Sequence, residues 1–167
     1  ATRELHEQLK IHGITVGHEF QNVGSMGHVS SVALGIALAR PEKKVVVFDG
    51  DAAAVMHMGS MATNCRYKAG NMVHIVLNNG VNESVGGQPS AGQVINLSGV
   101  ASACGYYTSG KAVESKEDLQ NLLHEMPKGD MPVFVDVHVR QGIRKDMPKL
   151  NIDHKQQKVD LMKTLSI

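Results

Sequence analysis

The sequence carries no excess of charge of either sign: 17 Lys and Arg stand against 16 Asp and Glu, for a formal net charge of +1. Binding to nucleic acid or to an anionic membrane surface normally draws on a basic excess or a basic cluster, so neither partner is expected. Cysteine is scarce too. Cys65 and Cys104 are too few for a disulfide framework and have no metal-ligand spacing, which predicts buried, reduced thiols and a cytoplasmic protein. No run of 18 apolar residues occurs, and the opening ATRELHE is a charged helical pattern without an apolar signal core. A membrane span is therefore not expected. The chain starts on Ala1 rather than Met, as either a piece of a longer protein or a chain trimmed of its first Met would. Internal repeats and low-complexity segments are absent as well. What remains, 42% hydrophobic and 20% charged residues in 167, suits one globular domain with one core.

The pattern along the chain alternates between helical and extended periods. Residues 2–10 read as a helix, and Gly13, Gly17 and Gly24 break the stretch that follows. The run VSSVALGIALA, small and apolar nearly all round and stopped before Pro41, predicts a helix packed on several sides. Val45-Val46-Val47-Phe48 is a β-branched run expected of a strand covered on both faces. Residues 53–68 read as one helix, residues 72–77 as a second buried strand, and residues 81–95 as a loop with at most one helical turn. A helix at 97–104, a short strand at 106–108, a helix capped by Ser115, a strand at 132–139 and a polar amphipathic helix at 153–165 complete the series. Strands alternating with helices predict an α/β fold with a mostly parallel sheet and helices on both faces, a three-layer architecture.

In such a sheet, ligands bind at the carboxyl ends of the strands. Two of these ends are unusually polar. Gly50-Asp51-Ala52-Ala53 places a carboxylate at a strand tip, followed at once by small residues that open a helix and leave backbone N–H groups accessible. An anion and an acid coexist there only with a cation between them, so the pattern points to a phosphate and a divalent metal. Asn78-Asn79-Gly80-Val81, ending the next strand, offers amide oxygens and a glycine-permitted turn with an exposed carbonyl, all hard ligands suited to Mg²⁺. Taken singly, the acid could be a helix cap and the Asn-Gly pair a turn; together on consecutive strands they predict a metal–phosphate site.

Gly50-Asp51-Ala52, with the second residue of Asn78-Asn79 lying 28 positions after the Asp, resembles the GDG…NN motif of thiamine-diphosphate-dependent enzymes. A second block, Gly24-Ser25-Met26-Gly27, looks like the segment that receives the aminopyrimidine ring in the decarboxylases of that family. Within the family, Val23–His28, Met56-His57-Met58-Gly59 and Ser84-Val85-Gly86-Gly87-Gln88-Pro89 together resemble the phosphonopyruvate decarboxylases, with the sulfopyruvate decarboxylases as close relatives. The resemblance implies thiamine diphosphate and Mg²⁺ as cofactors, on the thiamine-diphosphate-binding fold. Asp51, the Asn79 side chain and the Val81 carbonyl would hold the metal; the amides around Ala52 and Ala53, with Gly50, would hold the diphosphate. Gly24, Ser25 and Met26 would receive the pyrimidine, the Gly24 carbonyl accepting from its amino group and Met26 wedging under the cofactor. Ala52 departs from the usual glycine, and a required positive φ there would cost on the order of 1 kcal/mol.

The resemblance also implies an activating Glu on a separate pyrimidine-binding domain, of which these 167 residues carry no sign. The expectation is thus a single diphosphate-half domain over residues 1–167, belonging to a homo- or hetero-oligomer, inactive without its pyrimidine-binding partner, and with no catalytic residue of its own. The implied reaction is decarboxylation of a small anionic 2-oxo acid, 3-phosphonopyruvate giving 2-phosphonoacetaldehyde and CO₂ in phosphonate metabolism; a sulfopyruvate decarboxylase small subunit is the alternative. His28, Ser84, Gly86, Gly87 and Gln88 are candidate substrate contacts, His57 is placed to face cofactor or substrate, and Arg140, Arg144 and Lys145 follow the last strand. Two rival readings compete. In a haloacid-dehalogenase-type phosphohydrolase Asp49 would be the nucleophile and Asp51 the general acid, but Ala53 stands where Thr or Val is wanted. A non-catalytic assembly domain would draw support from Ala52.

Overall fold

A computed structural model describes residues 2–14, 17–127, 129–147 and 149–166. The chain forms two compact units, residues 25–142 and a smaller one made of residues 1–24 and 143–167.

The larger unit is built on a parallel sheet of three strands in the order β1-β2-β5: β1 (Val45–Gly50), β2 (Met72–Asn78) and β5 (Val133–His138). The register aligns Val47 with His74 and Phe134, and Phe48 with Ile75 and Val135. Because successive side chains alternate between faces, the sheet has two distinct sides. One carries Val47, Met72, Val76 and Phe134 into a core with α2 (Val29–Ala39), α4 (Ser60–Arg66) and α5 (Leu97–Cys104). The other carries Val73, Ile75, Val133 and Val135 beneath Leu119 and Leu122 of α6 (Lys116–His124). This is the three-layer α/β arrangement expected. Phe134 is fully buried at the centre of the first core, so Phe134→Ala should cost about 3–5 kcal/mol, measured as a fall in ΔG of urea unfolding at unchanged m-value.

Five expectations need correction. β1 is open on one face, with Val46 and Phe48 47% and 37% exposed, because α6 packs over β2 and β5 only. Helix α2 likewise buries one stripe, Ser30, Ala33, Leu34 and Ala37, and leaves Val32 and Leu38 exposed. The single helix expected at 53–68 is two, α3 (Asp51–Met56) and α4, separated at His57-Met58-Gly59. Within 81–95 the chain adds a small antiparallel ladder, β3 (Val81–Asn82) with β4 (Gln88–Pro89), around a 3₁₀ turn at Glu83–Val85. Tyr107 makes only a single bridge to Val133 in place of the short strand.

Cys65 is buried and Cys104 half-buried, both free. Burial, with Cys104 nearby, pushes the Cys65 thiol up to about 11. At pH 8 that leaves about one-hundredth of the thiolate of an ordinary cysteine. Iodoacetamide should therefore label Cys65 in the folded protein far more slowly than in urea, as read by peptide mass spectrometry.

In the smaller unit, α1 (Thr2–Ile11) and α7 (His154–Leu165) are largely exposed helices. The Asp153 side chain caps α7 by accepting from the Lys155 and Gln156 amides. No helix among the described residues is long and apolar enough to cross a membrane.

Candidate functional site

The tips of β1 and β2 meet through a third segment that sequence reading passed over. Asp51, the first residue of α3, is only 2% exposed. Its carboxylate accepts from the Ser90 hydroxyl. Ser90 in turn donates its backbone N–H to the Gly80 carbonyl (2.8 Å) and receives the Gly92 amide on its hydroxyl oxygen (3.1 Å). Gly92 closes the circuit: its carbonyl accepts from the buried Asn78 Nδ2 (2.8 Å), and a Cβ added to it would collide with the Asp51 carboxylate. Residues 90–92 thus clamp the Asp51 turn to the Asn78–Gly80 turn. The signal available in the sequence was the small, polar run Ser90-Ala91-Gly92 after Pro89, uninformative without the fold.

Asn79 lies in the same turn, half-buried, and its Oδ1 accepts from the Val81 amide (3.2 Å). Gly80 adopts φ +73°, the left-handed conformation that turn requires. Ala52 sits inside α3 and is not among the residues with positive φ, so its methyl group brings no backbone strain. With Asn82, Gln88 and Ser90 it lines a hollow of about 250 Å³. Ser25 and Met26 lead into Gly27, at φ +83°, where a Cβ would lie 2.7 Å from both the Ala53 carbonyl oxygen and His57 Cδ2. The Gly24–Gly27 block therefore ends pressed against α3. Gly24 itself, at φ +85°, is the last residue of the smaller unit's first segment.

The electrostatics of this region are lopsided. Asp136 of β5 is buried close to Asp51: burial pushes its carboxyl up, Asn78 and His138 oppose that, and the Asp51 charge adds to it. Asn78 Nδ2 reaches Asp136 Oδ1 at 3.2 Å, and His138 lies 3.8 Å from its other oxygen. Among the described residues no Lys, Arg or His pairs with Asp51. Two neighbouring buried carboxylates, one without a cation, favour a bound cation over an empty site. With the Asp51 carboxylate and the Asn79 amide oxygen as hard oxygen donors on neighbouring turns, the residues present fit Mg²⁺.

Other candidates are placed differently. Asp49 turns into the core, 5% exposed, 3.4 Å from the equally buried His74; its Oδ1 accepts from the Gly50 amide (3.0 Å). Sealed there, it cannot attack a substrate as a hydrolase nucleophile. Arg144 is neutralised by Glu7 (2.6 Å) and Asp146 (2.7 Å) in the smaller unit, while Arg140 and Lys145 are exposed. The Ser84 hydroxyl is committed to Asn82 Oδ1 (2.7 Å), and Gly86 and Gly87 both take positive φ in the hairpin.

Residues 5–137 match the family described as thiamine pyrophosphate enzyme, C-terminal TPP binding domain. The chain belongs to that family. A phosphonopyruvate decarboxylase from Streptomyces hygroscopicus is 42% identical over 123 residues, 74% of this chain and 30% of the relative. The sulfopyruvate decarboxylase subunit beta of Methanothermobacter thermautotrophicus is 34% identical over 134 residues, 80% of this chain and 68% of that one. The TPP-binding domain thus spans less than a third of the phosphonopyruvate decarboxylases that it matches. In fold it is similar to the thiamine diphosphate-dependent 4-hydroxybenzoylformate decarboxylase of Rhodococcus jostii RHA1, with a TM-score of 0.58 at 23% identity over 72% of this chain and 24% of that one. Family membership sets aside the phosphohydrolase reading, in agreement with the buried Asp49.

Proposed function

We propose that this TPP-binding domain works with a pyrimidine-binding domain or subunit as a Mg²⁺-dependent 2-oxo acid decarboxylase in the cytoplasm, converting 3-phosphonopyruvate to 2-phosphonoacetaldehyde and CO₂. The observation that carries this is the clamp joining Asp51 to the Asn78–Gly80 turn, in a chain 42% identical to a phosphonopyruvate decarboxylase. Asp51, the Asn79 amide oxygen and the Val81 carbonyl would hold the metal; the Asn79 oxygen, which accepts from the Val81 amide, has a second lone pair to offer it. Backbone amides at Ala52 and Ala53, unobstructed by large side chains, hold the diphosphate with Gly50. Gly24, Ser25 and Met26 receive the pyrimidine, and Met26, flexible and polarizable, fills the angle beneath it. When bound, thiamine diphosphate supplies the electron sink for loss of CO₂. This chain's share is to bind, orient and neutralise that cofactor as one diphosphate-binding domain; the activating Glu belongs to the partner.

A second reading, the small subunit of a sulfopyruvate decarboxylase, is favoured by one observation: the chain covers 68% of a beta subunit. The assembled protein, given thiamine diphosphate and Mg²⁺, is assayed for aldehyde from 3-phosphonopyruvate and 3-sulfopyruvate separately. Cofactor-dependent aldehyde, faster from the phosphonate, is expected; faster turnover of the sulfonate selects the second reading. Aldehyde from neither would leave a different 2-oxo acid as substrate or an assembly domain.

A further inference from the structure

We infer that His28 and His57 are the specificity-determining contacts for the tetrahedral anionic end of the substrate, a phosphonate or sulfonate, held in the hollow that they line. This rests on the decarboxylase reading and names the part of the site that would read the acid's far end. His28 immediately precedes α2 and His57 immediately follows α3, yet their rings meet with centroids 3.9 Å apart and planes inclined by 49°. Gly27 makes this approach possible, since any Cβ there would strike His57. The pair opens onto a hollow of about 560 Å³ shared with Ser31, Ser60, Val55 and Met58. Val55 also lines the smaller hollow beside Ala52, so the two recesses adjoin across α3.

The chemistry of the pair favours an anion. His28 Nδ1 donates to the Met26 carbonyl at 3.3 Å, which leaves Nε2 as the atom open to a ligand. His6, His74 and His138 each lie beside a carboxylate, whereas among the described residues neither His28 nor His57 does. Two touching imidazoles that face one hollow each have a ring N–H to offer, and a tetrahedral anion between them has oxygens enough to accept from both. Helix α2, eleven residues long, begins at Val29 with His28 as an N-cap that makes no side-chain cap bond; the Ser31 amide bonds the His28 carbonyl (3.1 Å), and the Val29 and Ser30 amides before it can add donors. A neutral substrate end would accept weaker hydrogen bonds from these donors and gain nothing from charge.

The test uses the assembled protein with thiamine diphosphate and Mg²⁺, and two analogues that lack the reacting carbonyl, 3-phosphonopropionate and 3-sulfopropionate. Calorimetric Kd values are compared for wild type, His28→Gln, His57→Gln and the double variant, alongside KM, kcat and the Kd of thiamine diphosphate. Each single change should weaken analogue binding about tenfold and the pair about 100-fold, with the loss in KM rather than kcat and cofactor Kd within about twofold. The analogue that wild type binds more tightly identifies the anion. If the double variant binds analogue within about twofold of a wild type that makes aldehyde, the proposal falls and the decarboxylase reading stands. Loss of thiamine diphosphate binding in the variants would assign the rings to the cofactor and also overturn it. A wild type that makes no aldehyde and binds neither analogue would overturn both.

Discussion

Asp51→Ala should lower Mg²⁺-dependent decarboxylation by the assembled protein at least about 1000-fold, because metal coordination contributes several kcal/mol and each factor of ten corresponds to about 1.4 kcal/mol. The same change should leave the metal-free protein as stable as wild type or more so. Asp51 is buried with a neutral hydroxyl as its hydrogen-bond partner and the Asp136 carboxyl close by. Removing a buried carboxylate that lacks a cation relieves a desolvation cost and a like-charge repulsion. Thermal melts separate the two effects. Wild type should gain Tm on adding Mg²⁺ and thiamine diphosphate, and Asp51→Ala should not, while the two metal-free melting temperatures stay close. A steep fall in the variant's metal-free Tm would instead make Asp51 a structural residue.

Gly92→Ala should damage the same site from outside the set of metal ligands. The added methyl would fall on the Asp51 carboxylate, and the backbone cannot retreat freely because the Gly92 carbonyl is bound to Asn78 and its amide to Ser90. Overpacking of this kind costs about 1–3 kcal/mol, and here the strain displaces the carboxylate itself. Gly70→Ala is the matching control. Its methyl would run into the backbone of Gly129 and Asp130, before the first residue of β2 and so at the opposite end of the sheet from the site. Both variants should unfold at lower urea concentration, but only Gly92→Ala should weaken Mg²⁺ binding, by about tenfold or more. Equal Mg²⁺ affinity in the two would break the link between Gly92 and Asp51.

Much of the framework was legible because its signals are local. Val45–Gly50 and Met72–Asn78 read as strands from β-branched runs, Lys116–His124 from the Ser115 cap, whose side chain accepts from the Asp118 amide, and Leu97–Cys104 from its apolar period. The break between α3 and α4 was hidden because Val55, Met56, Met58 and Met61 keep apolar residues recurring across it, and Gly59 is the one helix-breaking residue that marks the interruption. Exposure of Val46 and Phe48 was equally hidden: hydrophobicity says that a face can be buried, while the reach of α6 decides whether it is. At the site, Asp51 and Asn79 were legible as polar residues on strand tips. Ser90, Gly92 and Asp136 were not, since each matters through a partner 39, 14 or 58 residues away. The doubt raised by Ala52 dissolves in the structure, where its helical backbone has no use for glycine.

The central claim is that this chain holds thiamine diphosphate through a metal gathered by the tips of β1 and β2. Calorimetric titration of the assembled protein with thiamine diphosphate tests it most directly, performed in Mg²⁺ and in EDTA for wild type, Asp51→Ala and Asn79→Ala. The account predicts tight binding only for wild type in Mg²⁺, with both variants in Mg²⁺ falling to the level of wild type in EDTA. Equal affinity with and without Mg²⁺, or variants that bind like wild type, would contradict it.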